Sequence, residues 1–134
     1  MKKNQKAEPT ETKSYAAPLY QNEVRIIGYL GDKPEIHDGR TVLSVATKNS
    51  WKPKDSEKFE ESTDWHRVTA WGKLAEGVNA LALAKGAYVL IEGELRSNTY
   101  EKDVQAEAGV ATLQVKAWEI RARAIRELGA RRAD

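Results

Sequence analysis

The chain of 134 residues contains no cysteine, which excludes disulfides and thiolate metal sites. Its two histidines, His37 and His66, stand far apart, and no cluster of His or paired carboxylates marks a nucleophile, a metal site or an acid/base pair. An enzyme is therefore not expected, nor is a metal or other cofactor. No apolar run approaches the roughly 20 residues that span a bilayer. Met1-Lys2-Lys3-Asn4-Gln5-Lys6 leads into polar residues rather than a signal-peptide core. The expectation is a soluble cytoplasmic protein with no membrane partner. A large net charge is lacking as well: residues 1–21 carry +2, residues 22–120 carry −3 and residues 121–134 carry +3, for a net +2. Bulk charge makes no case for a polyanionic partner, so only its local placement can. The 40% of hydrophobic residues suffices for one modest core.

Residues 1–21 are polar, hold Pro9 and Pro18, and show no sustained period, so a disordered N-terminal arm is expected. Val24, Ile26, Gly28 and Leu30 then alternate with Glu23, Arg25, Ile27 and Tyr29 in a first strand that closes on a Gly31-Asp32 turn. Gly28 hints at a bulge or tight curvature. After the Asp38-Gly39 turn, Leu43, Val45 and Thr47 alternate with Val42, Ser44 and Ala46 in a second strand whose small-residue face is left open. Residues 49–62 read as a long polar loop carrying Trp51, Lys52, Pro53 and Lys54. Trp51 has no evident core role there; its alternative place is folded back over the loop base.

The third strand, Thr63-Asp64-Trp65-His66-Arg67-Val68-Thr69-Ala70-Trp71-Gly72, sorts its side chains onto two chemically different faces. Trp65, Arg67, Thr69 and Trp71 project one way, and His66, Val68 and Ala70 the other. Two tryptophans sharing the polar face with an arginine match what single-stranded nucleic acid needs, flat π-faces for bases and a cation for the backbone. The alternative is that both tryptophans pack under a loop or in a subunit contact. Residues 73–85 place Leu74, Val78 and Leu81 on one face and stop at Gly86, a short amphipathic helix. Val89, Ile91, Gly93 and Leu95 alternate with Tyr88, Leu90, Glu92, Glu94 and Arg96 in a fourth strand. Tyr88 and Leu90 on its outer face suggest a subunit contact, unless they are isolated exposed apolar residues. Residues 97–109 read as a second polar loop with Tyr100 and Lys102, and a fifth strand runs from about residue 110 to 120 with a change of phase near Ala117. The arginine-rich residues 121–134 could be a helix or a continuing strand.

Strand, strand, strand, helix, strand, strand is the order of an all-β, five-stranded Greek-key OB-fold barrel with one short helix between strands three and four. The expected organisation is an arm over 1–21, a barrel over 22–120 and a basic C-terminal segment over 121–134. Four stretches now carry a resemblance: Asn22-Glu23-Val24-Arg25-Ile26-Ile27-Gly28-Tyr29-Leu30-Gly31-Asp32-Lys33-Pro34-Glu35, Thr63-Asp64-Trp65-His66-Arg67-Val68, Trp71-Gly72-Lys73-Leu74-Ala75-Glu76 and Ile91-Glu92-Gly93-Glu94-Leu95-Arg96. From about residue 22 to 117 the chain closely resembles the bacterial and mitochondrial single-stranded DNA-binding proteins. The resemblance implies base stacking on Trp51, Trp65, Trp71 and Tyr100. It implies phosphate contacts from Arg67, Arg96, Lys52, Lys54, Lys73 and Lys85, and a subunit-interface role for His66. It further implies a homotetramer, with a dimer as the alternative. The implied function is to coat and protect single-stranded DNA in replication, recombination and repair, with little sequence preference, in the cytoplasm at the nucleoid. An RNA-binding or primosome-accessory OB-fold protein is the alternative function. Bacterial members usually continue into a disordered linker and an acidic tip that recruits enzymes. This chain reads Ala130-Arg131-Arg132-Ala133-Asp134 instead, so tip-mediated recruitment of repair enzymes is not expected.

Overall fold

Six strands and one helix succeed one another as β1 (Val24–Leu30), β2 (Glu35–His37), β3 (Arg40–Trp51), β4 (Glu60–Trp71), α1 (Gly72–Ala80), β5 (Ala87–Ala106) and β6 (Gly109–Ala130). The structure, a computed structural model, describes residues 19–130. Most of the expected N-terminal arm and the end of the basic C-terminal segment lie outside the described residues. The sheet runs β1-β5-β6-β4-β3-β2, and β1 also pairs with β3 at Tyr29↔Ala46 and Leu30↔Val45. That second pairing closes β1, β3, β4, β6 and β5 into a five-stranded barrel, with β2 appended to β3 as a short hairpin around Gly39. The closing seam on the far side is brief and parallel, Val68↔Ile120 and Thr69↔Arg121 between β4 and β6. This is the expected OB-fold barrel, with the helix between the third and fourth barrel strands.

Alternation along each strand decides what lies inside. Leu43, Val45, Val68, Val78, Val89 and Ile91 are fully buried, and Leu30, Leu83, Ile120 and Ala122 join them in one core. Two polar contacts pin elements to the barrel. Asn22 donates from Nδ2 to the Leu95 carbonyl (2.8 Å) and accepts from the Leu95 N–H (2.9 Å), fixing the approach to β1 against β5. The Thr41 hydroxyl donates to Asn79 Oδ1 at 2.6 Å and ties α1 to β3. Both mid-strand glycines mark close approach. A Cβ on Gly28 would meet the Ala46 carbonyl where β1 crosses β3, and one on Gly93 would meet the Arg121 carbonyl at a register shift between β5 and β6.

Several expectations are corrected. Residues 97–109 are not a loop: β5 and β6 pair continuously from Arg96↔Glu119 to Ala106↔Gly109, forming a hairpin arm that turns at residues 107–108. Nor does the phase change near Ala117. Ile120 and Ala122 keep the inward phase, and the apolar Leu113, Val115 and Ala117 occupy the other face of an arm that has left the barrel. Residues 121–130 continue as strand, so β6 passes without a break through residue 120, where the barrel was expected to end. The loop between β3 and β4 shrinks to residues 52–59. The helix stops at Ala80 rather than Lys85, and Ala82 adopts φ +50. Leu83 explains the early stop. In a continuing helix it would sit about 140° around from Val78 and point away from the barrel, whereas the turn buries it and leaves Leu81 exposed. Gly86 donates its N–H to the Leu30 carbonyl at 2.9 Å and so anchors the start of β5 instead of capping the helix.

Because backbone rather than a movable side chain lies above Gly93, Gly93→Val should destabilise the barrel by about 1–3 kcal/mol. The urea unfolding midpoint measures this, and an unchanged midpoint would show that β5 and β6 can part there at no cost.

Candidate nucleic-acid interface

The outward phase of β4 carries Trp65, Arg67, Thr69 and Trp71, while His66, Val68 and Ala70 face inward. Cross-strand register extends the outward face over Arg40, Val42, Ser44 and Ala46 on β3, and over Glu119 and Arg121 on β6. It continues onto β5 through Arg96, Asn98 and Tyr100, since Arg96 pairs with Glu119. Trp65, Trp71 and Tyr100 are 60%, 42% and 47% exposed, and all three lie on this face. Trp65 and Trp71 stand six residues apart, roughly 20 Å along the strand. Trp51 is 43% exposed but occupies the opposite register phase at the end of β3, opposite Glu60. The face is less open than small residues suggested. Val42 and Thr69 are buried on it, and the Thr69 hydroxyl donates to Glu119 Oε2 at 2.9 Å.

Trp65 leans on bare backbone. A Cβ on Gly31 would collide with its six-membered ring, so Gly31 is a seat for the indole rather than a turn residue alone. The ring borders a groove of about 590 Å³ lined also by Tyr29, Lys48, Lys85 and Tyr88. Trp71 has a different setting. The Arg40 guanidinium carbon lies 5.8 Å from its ring centroid and that of Arg121 lies 5.2 Å away, both within cation–π range. A cleft of about 310 Å³ beside it is lined by Arg40, Arg96, Asn98, Glu119 and Arg121.

The expected phosphate-binding cations fall into two groups. Lys52 and Lys54 lie in the short connection between β3 and β4, Lys73 in the first turn of α1, and Lys85 on the Trp65 groove; among the described residues none of the four makes an ion pair. The two arginines are engaged: Arg67 Nε with Glu119 Oε1 at 3.5 Å, and Arg96 Nη1 with Glu94 Oε1 at 2.9 Å. Both pairs are partly exposed and so worth little individually, which lets a phosphate compete for either arginine. Arg40, Arg121, Glu119 and Gly31 escaped the sequence reading. Arg40 lies directly across from Trp71 and a hairpin register would have found it. Glu119 and Arg121 reach β4 only through the β4–β6 seam, which no local pattern announces.

The expected subunit-contact residues are separate from one another. His66 is half-buried on the inward phase, with its Nε2 hydrogen-bonded to Thr47 Oγ1 at 2.8 Å. Tyr88 packs its ring on Tyr29, centroids 4.7 Å apart and tilted by 31°, and Leu90 lies opposite the exposed Ile27. Tyr88 thus faces the same groove as Trp65. Among the described residues no three His, Asp or Glu side chains gather as a metal site, and no helix is long and apolar enough to cross a membrane.

The "Single-stranded DNA-binding protein 1" of Xylella fastidiosa is 44% identical over 84 residues, 59% of this chain and 61% of that protein. The chain therefore spans less than two thirds of that relative's length. Among solved structures, the Plasmodium falciparum SSB complex with ssDNA superposes with a TM-score of 0.66 at 22% identity, covering 84% of this chain and 98% of that one. A deletion mutant of the single-stranded DNA binding protein from Thermus aquaticus gives 0.62 at 26% identity, covering 81% and 50% respectively. The small single-stranded DNA-binding protein from Streptomyces coelicolor gives 0.58 at 19% identity, covering 81% and 95%, and like the Plasmodium match it speaks for the fold alone. Residues 21–122, which take in all of the barrel but the last stretch of β6, match the single-strand binding protein family, and the chain belongs to that family.

Proposed function

We propose that this chain binds single-stranded DNA with little sequence preference, coating and protecting it in replication, recombination and repair. The observation that carries the reading is the outward face of β4, where Trp65 and Trp71 are both exposed beside arginines on a strand whose other face is core. A base stacked on an aromatic ring contributes roughly 1–3 kcal/mol, and every base offers a π-face, so affinity comes without readout of base edges. Duplex DNA hides those faces. Tyr100 extends the track along the hairpin arm, and Trp51 offers a ring on the other side of the β3–β4 ribbon. Lys52, Lys54, Lys73, Lys85, Arg67 and Arg96 supply phosphate contacts, which make binding salt-dependent. The protein acts by binding, without chemistry on its ligand, in the cytoplasm at the nucleoid.

The working assembly in this reading is a homotetramer, with His66, Tyr88 and Leu90 at subunit boundaries. Exposed Ile27 beside Leu90 supports it, since an apolar pair on an outer sheet face gains from being covered. His66→Asp should then lower the mass measured by light scattering at micromolar concentration. Equal masses for wild type and variant across a dilution series would remove His66 from the interface.

Titrating intrinsic tryptophan fluorescence with oligo-dT tests the function directly, with an RNA oligomer and duplex DNA in parallel. Quenching by dT well below the concentrations needed for duplex is expected. Trp65→Ala should weaken dT binding by about 5- to 150-fold while leaving the fold intact. Tighter binding to RNA than to DNA, or no binding of either, would overturn the reading. Gly31→Val probes the seat of the same ring: lifting the indole off the backbone should weaken dT binding in the same direction as Trp65→Ala, and unchanged affinity would show that the seat does not matter.

A further inference from the structure

We propose that Arg40 and Arg121 form, with Trp71, a single clamp for one nucleotide: the indole takes a base, and the two guanidiniums take the phosphates that flank it. The inference rests on the single-stranded DNA reading above and assigns to it two residues outside the cations already considered. Trp71 stands on β4 between β3 and β6. Arg40 pairs with it from the β3 side, while Arg121 arrives from β6, where it pairs with Thr69 on the same outward phase. The guanidiniums therefore approach the ring from opposite neighbouring strands, 5.8 Å and 5.2 Å from its centroid.

Among the arginines that flank β4, these two are set apart by their lack of carboxylate partners. Arg67 is paired with Glu119, and Arg96 and Arg123 share Glu94. Among the described residues Arg40 and Arg121 make no ion pair and no side-chain hydrogen bond, and the indole is their recorded partner. The nearby acids are already occupied: Glu119, which lines the same cleft, is held by the Thr69 hydroxyl and by Arg67, and Glu94, across from Arg121, by Arg96 and Arg123. An anion entering the cleft thus meets two uncommitted guanidiniums, each able to bind phosphate through two parallel N–H donors. The cation–π contact keeps both guanidiniums beside the ring before ligand arrives, within reach of the phosphates of a nucleotide that stacks there. When a base stacks on Trp71, the guanidinium on that side moves to the adjacent phosphate, where a full negative charge replaces the ring quadrupole.

The test is the salt dependence of dT-oligomer binding, read as the slope of log K against log salt, for the full chain and for Arg40→Gln, Arg121→Gln, the double variant and Arg123→Gln. Each clamp arginine removed should flatten the slope by about 0.7, and the double variant by about 1.4. Arg123→Gln removes the same charge from a residue that does not line the Trp71 cleft and whose guanidinium also donates to the Gly93 carbonyl, and it should leave the slope in place. Arg40→Lys with Arg121→Lys should retain most of the slope, because the charge remains. Arginines that merely brace the indole would lower affinity equally at every salt concentration, and an unchanged slope in the double Gln variant would overturn the clamp. A slope lost equally in Arg123→Gln would overturn it too, by showing a diffuse field instead. Wild type that fails to bind dT at all would instead sink the single-stranded DNA reading, so the two failures are distinguishable.

Discussion

Everything on the candidate interface depends on the burial of Val68 and Ala70. β4 is paired with β3 along its whole length and with β6 at Val68 and Thr69, so these inward residues are held from both edges. Because side chains alternate with a period of two, slipping the strand by one residue would drive Trp65, Arg67 and Trp71 into the core and expose Val68. The apolar interior therefore sets the direction of the ligand-facing rings. The tryptophans need no scaffold of their own, since the core that stabilises the barrel also orients them.

Charge is distributed by a similar economy of position. The middle of the chain is net acidic, yet two carboxylates on the outward face, Glu119 and Glu94, are committed. Glu119 holds Arg67 and Thr69, and Glu94 holds Arg96 and Arg123. These pairs sit in partly exposed surroundings where salt screens them and a polyanion can compete for the arginine. Arg40 and Arg121, without carboxylate partners, lie against Trp71, and the lysines lie at the rims of the face. A basic surface is thus compatible with a modest overall charge, because what an anion meets is the local arrangement and not the sum.

Much of the barrel was legible because most barrel strands have one face in the core. Val24 to Leu30, Leu43 to Thr47, Trp65 to Trp71 and Val89 to Leu95 all alternate, and each became a strand whose inward set is the expected one. Where the chain leaves the barrel the rule fails. Residues 97–109 read as loop because an arm solvated on both sides has no need to alternate, and its strands are held by backbone hydrogen bonds that any polar sequence can make. The helix was overextended because Leu81 completes a helical stripe that Leu83 then outcompetes by entering the core.

Local alternation of residues settles which side chains share a face of each barrel strand and, through the Trp-Arg-Thr-Trp spacing of β4, the chemistry that face presents. Periodicity is a local property, written in neighbouring residues, and needs no knowledge of the rest of the chain. Tertiary structure alone decided what stands beside each of those side chains. Arg40 beside Trp71 follows from the β3–β4 hairpin register, whereas Gly31 beneath Trp65, Arg121 beside Trp71, and Glu119 between Arg67 and Thr69 come from segments that meet only when the barrel closes. The β4–β6 seam joins residues about fifty positions apart through two register pairs, and no local pattern carries that register.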